Sequence, residues 1–518
     1  AAPSGAEVKS RMIDLNGEVR PVFIEKETLR FLENDRELGS FRIEAWLEKD
    51  GTPVSPVNEL VVHRMRRPRF WGKDAPDSPF GIHTNAVTRN LQMAKATGFN
   101  WVRLHDSGLP YIGWFNLEKT PGKWTFQDEN IFRYRKHQLL ILAEAGTAPE
   151  WASYQKDTVR AGKNDYYDKF FQPRNLQDYA HYVDVISKRY AGVISTWDVW
   201  NEPWIHAYWS VGYDAKKSGR DGYRASADSA GDFVRLSETA YRTLKANNPK
   251  ATVLGFNTTT GAGTGGGGAN NYSGLEWTTL CREKGAENFC DAVAIHCYVS
   301  GPVGYPDDTI DTGILASLQS LRTTDGKWKK PVWMTEGSAV TNMLRNGIYH
   351  HSADNGESDP VRQIADRSVR YLLTLLSCGI EKIFMYSMHC YNGEIGSSAA
   401  QWRFLTNDDG YLHPSAVAVS NFTWLVEGLQ PCGVTEISPG VWAHLFSDGT
   451  RSVAVLSGKS GIEAVTFGKL PDGVEALDLW GNPSVTPVGY SGEVVYLHGA
   501  VSPEILLDYL KQKKERGK

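Results

Sequence analysis

Two glutamates stand out for their surroundings. Glu202 lies in Trp200-Asn201-Glu202-Pro203-Trp204 and Glu336 in Met334-Thr335-Glu336-Gly337-Ser338, each directly after a short apolar run. Two carboxylic side chains facing each other across a sugar can cut a glycosidic bond. One protonates the leaving oxygen; the other attacks the anomeric carbon or activates water to do so. A separation of about 5 Å suits direct attack, and about 6.5–9.5 Å leaves room for a water. The two roles need unequal pKa values, because the acid must hold its proton while the nucleophile stays charged. The structural alternative has Glu202 capping a helix start and Glu336 pairing with Arg103. It leaves the aromatic flanks unexplained.

Such residues are useful only if the chain brings them together. The middle of the sequence alternates short apolar runs with amphipathic stretches, the pattern of repeated βα units. The expected strands are Phe80–Thr84, Trp101–His105, Leu139–Ala143, Thr196–Trp200, Thr252–Phe256, Ala292–Cys297, Val332–Thr335 and Lys382–Ser387. Helical periodicity appears at Leu176–Arg189, Asp232–Asn247, Ile310–Arg322 and Pro360–Leu376. Eight units predict an α/β fold, a (β/α)8 TIM barrel over residues 76–430. The rival, a doubly wound open sheet, would need a phosphate-binding turn, and no G-x-G-x-x-G follows the first strand. Catalytic groups of such barrels sit at the C-terminal ends of strands. Glu202 follows the fourth strand and Glu336 ends the seventh. Asp198 shares the strand parity of Glu202 but lies deeper, and reads as a buried hydrogen-bonding partner. Residues 1–75 and 431–502 instead alternate apolar and polar positions, as in Phe41-Arg42-Ile43-Glu44-Ala45-Trp46-Leu47 and Val441-Trp442-Ala443-His444-Leu445-Phe446. They read as the two contributions to an accessory β-sandwich. Residues 503–518 read as a helical tail whose basic run is a solvated end.

Asn201-Glu202-Pro203 after strand four, with Glu336 ending strand seven, resembles the clan A retaining glycoside hydrolases, family 39-like or a neighbouring family. The resemblance covers residues 79–430 and implies Glu202 as general acid/base and Glu336 as nucleophile. It implies that Asn201 binds the 2-hydroxyl of the sugar and that Arg103 lies beside the nucleophile. It implies too that His296 and Tyr298 line the site, Tyr298 donating its hydroxyl to Glu336. Trp151, Trp204, Trp209, Tyr386 and Trp402 can stack on sugar rings, with core packing as the equal alternative. His83, Asn85, His105 and Asp106 follow the first two strands and are candidates for hydroxyl binding or for structural hydrogen bonds. Glu150 reads as a residue that fixes the loop after strand three.

Composition narrows the function further. The 518 residues carry a net charge of only −4, which predicts no nucleic-acid partner. Seventeen Trp and 23 Tyr supply many faces for sugar rings, although most must fill the core. No stretch has the length and apolarity of a membrane span. Six cysteines lack metal-ligand spacing, and His350-His351 lacks a helical partner, so neither metal nor cofactor is expected. Cys281 and Cys290 read equally as a disulfide or as two thiols. The opening residues lack the form of a signal peptide, and a secreted or periplasmic location is the expectation. The glycine-rich segment Gly261–Gly268 reads as a flexible loop or as a cover over the site. The expected partner is an oligo- or polysaccharide. The alternatives to a hydrolase are a carbohydrate-binding protein on an inactive barrel and a transglycosylase using the same residues. Oligomeric state is not legible.

Overall fold

The computed structural model describes residues 4–15, 17–25, 28–30, 37–158, 166–260, 271–298, 330–339, 359–388, 412–458, 464–484 and 488–512. Eight parallel strands close into a barrel. We number them β1 (Phe80–His83), β2 (Trp101–Leu104), β3 (Leu140–Glu144), β4 (Thr196–Asp198), β5 (Thr252–Thr259), β6 (Ala292–Tyr298), β7 (Val332–Ser338) and β8 (Ile380–Met385). Each expected strand is present, with ends shifted by a few residues. The barrel interior is filled by Trp101, Leu142, Leu254, Ala292, Ala294, Trp333 and Phe384, a packed core rather than a pore.

Helices clothe this ring because their apolar positions recur on one face. Helix Leu176–Arg189 buries Tyr179, Tyr182, Val183 and Ile186, and Asn175 caps it by accepting the Gln177 N–H. Helix Asp359–Ser377 runs into β8 through Cys378 and Gly379, whose φ of 79° is the left-handed conformation that ends helices.

The termini supply the accessory β-structure as two antiparallel five-stranded sheets. In the N-terminal sheet the long strand Gly39–Lys49 pairs with both Glu7–Ile13 and Asn58–Arg64. Met12, Val22, Phe41 and Ile43 form its own small apolar cluster. The C-terminal sheet uses both faces, as period-two alternation allows. Val453, Val455 and Tyr496 join the barrel's core. Ala454, Leu456 and Leu497 form a second cluster under helix Pro503–Lys511. Asn482 ties the two sheets, accepting the Leu38 N–H at 2.8 Å and donating to the Leu38 carbonyl at 2.9 Å. Cys281 and Cys290 are free thiols. No helix among the described residues is long and apolar enough to cross a membrane.

Candidate active site

The site is assembled around one fully buried cation. Arg103, on β2, donates from Nε to Asp198 Oδ2 at 2.7 Å, from Nη1 to Glu336 Oε2 at 2.9 Å and from Nη2 to Asn201 Oδ1 at 2.9 Å. The rigid fork of a guanidinium can orient three acceptors at once, and here it links β2, β4 and β7. Burial disfavours its charge, but Asp198, Glu336 and Glu144 more than offset that and raise its pKa.

Local backbone irregularities aim the other groups. Trp200 (φ 69°) and Glu202 (φ 43°) turn the chain after β4 through the left-handed region. In β5, Phe256 and Asn257 oppose a single residue of β6, a bulge in which both have positive φ. Asn257 Nδ2 thereby reaches Asp198 Oδ1 at 2.6 Å and the Trp200 carbonyl at 2.9 Å. Strand β7 carries an extra residue at Thr335–Glu336 relative to both neighbouring strands. Gly337 follows directly. A Cβ there would come 2.1 Å from the Cys297 carbonyl oxygen and 2.3 Å from the Tyr371 hydroxyl, so the close approach of β6 requires glycine.

Glu202 and Glu336 meet at the mouth. One carboxylate oxygen of each, together with a ring nitrogen of His296, lie within 4.8 Å of one another. Glu336 Oε1 accepts the Tyr298 hydroxyl at 2.9 Å, and His296 Nδ1 lies 2.9 Å from Glu202 Oε1. Three such groups also suit a metal in kind. Here Arg103 already neutralises Glu336 and His296 is already bonded to Glu202, so this donor set fits a second cation poorly.

Electrostatics separate the two carboxyls. Burial pushes Glu202 up to about 7, opposed by the cations Arg220, His105 and Arg103. Burial also raises Glu336, with Glu202 adding to the rise and His296, His105 and Arg103 opposing it. Burial holds His296 down at about 3, so at neutral pH the opposing charges on Glu336 are His105 and Arg103. Among the described residues, Glu336 accepts a charge-assisted bond and a phenolic one, whereas Glu202 is bonded only to His296. A shared proton therefore favours Glu202. His105 stays cationic, raised to about 9: Asp106 and Glu144 outweigh its burial, and its Nδ1 is 2.6 Å from Glu144 Oε2. Asp106 accepts the hydroxyls of Tyr166 and Tyr386.

Of the residues singled out in the sequence, Arg103, His105, Asn201, Glu202, His296, Tyr298 and Glu336 converge at this mouth. Asp198 lies beneath them. Trp204 is buried and meets the His296 ring edge-on at 5.2 Å. Tyr386 bonds to Asp106, with its ring 5.0 Å from His83. Other positions are tied elsewhere. Trp151 donates its indole N–H to the Glu118 carbonyl at 2.8 Å and packs on Trp114. Trp209 packs in the core against Trp200 at 4.9 Å. His83 bonds to the Thr335 carbonyl at 2.8 Å, and Asn85 accepts from Val87 and Asn90 ahead of helix Thr88–Thr97. Glu150 is exposed at the start of a short turn. Trp402, His350, His351, Ile310–Arg322 and Gly261–Gly268 lie outside the described residues. Sequence reasoning missed Glu144, Asn257, Tyr166 and Tyr208. Only Glu144 carried a signal, as a charged residue at the end of an apolar run.

The fold class is thus a (β/α)8 barrel with accessory β-sheets and a carboxyl pair at its mouth. Among solved structures, the chain is similar to a family 39 glycoside hydrolase from the gut symbiont Bacteroides cellulosilyticus WH2. The match covers 96% of this chain and 95% of that one, with a TM-score of 0.66 and 15% identity. It is also similar to a monomeric β-xylosidase from Caulobacter crescentus CB15, over 83% of this chain and 97% of that one, with a TM-score of 0.52 and 14% identity. A family 39 β-xylosidase from Caulobacter crescentus matches over 85% of this chain and 98% of that one, with a TM-score of 0.51 and 15% identity. At these identities the likeness establishes the fold. No family model and no curated protein sequence matches the chain.

Proposed function

We propose that this chain is a retaining glycosidase that cleaves β-glycosidic bonds, with Glu336 as nucleophile and Glu202 as general acid/base. The observation that carries the reading is the approach of the two carboxylates to within 4.8 Å. That gap is narrow for an interposed water and suits direct attack on the anomeric carbon. The similar structures, a family 39 glycoside hydrolase and β-xylosidases, support the same class of chemistry.

In the first step a Glu336 carboxylate oxygen bonds to the anomeric carbon as the bond to the leaving oxygen breaks. The proton on Glu202 passes to that oxygen, leaving a glycosyl ester on Glu336 and a charged Glu202. In the second step Glu202 takes a proton from water, the water oxygen bonds to the anomeric carbon, and the ester bond breaks. Inversion at each step gives net retention. Arg103 and Tyr298 hold Glu336 charged before attack. The amide nitrogen of Asn201 is buried without a hydrogen-bond partner among the described residues, a donor suited to a sugar hydroxyl at this subsite. The substrate is an oligo- or polysaccharide, and the long loops Asp106–Gln127 and Tyr208–Ala227 favour a pocket over an open cleft. A secreted or periplasmic location fits such a substrate.

The test is azide rescue. Glu202→Ala should be inactive on glycosides with poor leaving groups and, with azide, should yield a β-glycosyl azide from an activated aryl β-glycoside. Glu336→Ala should not form that product. Unimpaired turnover in both variants, or an α-configured azide from Glu202→Ala, overturns the assignment.

A further inference from the structure

Beyond Glu202 the loop from β4 returns through the short turn Gly219–Gly222, which carries Arg220. Its guanidinium lies 5.4 Å from the centre of the Tyr167 ring and 5.7 Å from that of Tyr208. The side chain is exposed, and among the described residues it forms no hydrogen bond or ion pair. A second cation stands on the same aromatic wall. Lys169 Nζ lies 3.8 Å from the Tyr166 ring and 5.2 Å from that of Phe170, likewise with no hydrogen bond or ion pair among the described residues. The Phe170 and Tyr208 rings are 4.6 Å apart, those of Tyr167 and Tyr208 5.2 Å and those of Tyr166 and Phe170 5.8 Å, which joins the four into one cluster. Lys169 also lines a cavity of about 520 Å³ with Lys119, Asn116 and Gln155. That volume is in the range of small-molecule sites.

Two features give this wall a direction. Arg220 stands on the loop that leaves Glu202, and it is the foremost cation acting on that carboxyl. The acid/base faces the departing group, so a cation on the loop that leaves Glu202, stacked on the Tyr208 ring, is placed to meet that group. A guanidinium resting on aromatic rings keeps its in-plane N–H groups free for a planar or tetrahedral anion. Of the acids nearest the mouth, Asp106 takes two phenols and His105, and Glu202 is bonded to His296; Glu150 and Asp168 line the far cavity beside Lys169 and leave Arg220 as the cation nearer Glu202.

We propose that Arg220, backed by Lys169, binds an anionic substituent, a carboxylate or a sulfo group, on the leaving-group portion of the substrate. This rests on the glycosidase reading and narrows it to acidic glycans. Binding an anion there also cancels the cation that favours ionised Glu202, so the general acid keeps its proton to higher pH when the substrate is acidic.

The experiment uses matched aryl β-glycosides of whichever sugar the wild-type protein hydrolyses. The leaving groups are meta-carboxyphenyl against meta-carbamoylphenyl, and meta-sulfophenyl against meta-sulfamoylphenyl. The expected result is an anionic-to-neutral ratio of kcat/KM of about ten or more, the scale of one charge-assisted contact. The ratio should fall towards one in Arg220→Gln, fall less in Lys169→Met, and shrink at about 0.5 M salt. The alkaline limb of kcat should lie at higher pH for the anionic member of each pair. The two pairs distinguish carboxylate from sulfo recognition. A wild-type ratio of one or below in both pairs, or a ratio that Arg220→Gln leaves unchanged, overturns the proposal. If no aryl glycoside is turned over at all, the glycosidase reading fails instead. Calorimetric titration of Glu202→Gln protein with glucuronate against glucose then still decides whether Arg220 selects an anion: equal binding of the two sugars refutes it, and a preference lost in Arg220→Gln upholds it.

Discussion

The barrel buries a glutamate at each end, and burial lifts both to about 7: Glu202 at the mouth and Glu427 at the base. Their settings differ in every other respect. Glu427 Oε2 accepts from Ser78 Oγ at 3.1 Å and Asn100 Nδ2 at 3.3 Å, both just ahead of barrel strands. The charges that act on it are Lys95, Lys382 and Arg69. Those two lysines are themselves held by other acceptors. Lys95 Nζ donates to Asn100 Oδ1 and to the carbonyls of Lys73 and Gln138, and Lys382 Nζ to those of Pro76 and Ser78. At the mouth a second carboxylate lies within 4.8 Å, the backbone takes up left-handed turns, and the Asn201 amide nitrogen has no partner among the described residues. A displaced pKa alone does not mark a reactive site. The opposed second acid and the incomplete hydrogen bonding do.

The sharpest way to break this contrast is to delete each acid in turn. Glu336→Ala and Glu202→Gln should each cut turnover of an unactivated β-glycoside by at least ~10³-fold. Glu427→Gln should leave it near the wild-type value; a comparable loss there would erase the distinction. The next largest effect concerns the cation. Arg103→Met strands buried Asp198 and Glu336 and should cost about 3–5 kcal/mol in urea denaturation, besides its effect on rate. A cost under about 1 kcal/mol would rank the network with surface ion pairs. The pH profile tests the role of Glu202. Because the acid must be protonated to act, kcat/KM should fall as pH rises through about 7. That limb should be absent from the residual activity of Glu202→Gln on an activated aryl glycoside; its persistence would assign it to another group. The smallest effect is at the base. The folded-state pKa of Glu427 lies above the 4.5 of a free carboxyl, so its contribution to stability is fully present below pH 4.5 and is lost as pH rises through about 7. Glu427→Gln should flatten that decline by about 1–3 kcal/mol between those limits, read from denaturation midpoints across pH. An unchanged slope would mean that Glu427 is not the group titrating.

The barrel was legible because its strands are short apolar runs buried on both faces, and its helices carry the longer period. Strand order alone puts Glu202 just after β4 and Glu336 on β7. The supporting shell was harder to read. Asn257 is aimed by a bulge, and no sequence period announces a bulge. Tyr166 and Tyr208 reach the mouth from irregular loops, where neighbours in space are far apart in the chain. Histidines after the strand ends looked equivalent, yet His83 is absorbed by a backbone carbonyl while His105 sits between Glu144 and Asp106. What separates them is the depth at which each side chain leaves the strand, a property of register rather than of residue type.

The extra residue in β7 has a consequence for anyone who would move this chemistry to another scaffold. The carboxylate of Glu336 is reached by a strand that has slipped one place against both its neighbours, and the slip is locked by a residue with no side chain to collide with Cys297 and Tyr371. Copying the glutamate into an unslipped host strand would turn it to the opposite face of the sheet. The transferable unit is therefore Thr335-Glu336-Gly337 together with its offset, and a graft judged by the identity of the acid alone would be mute.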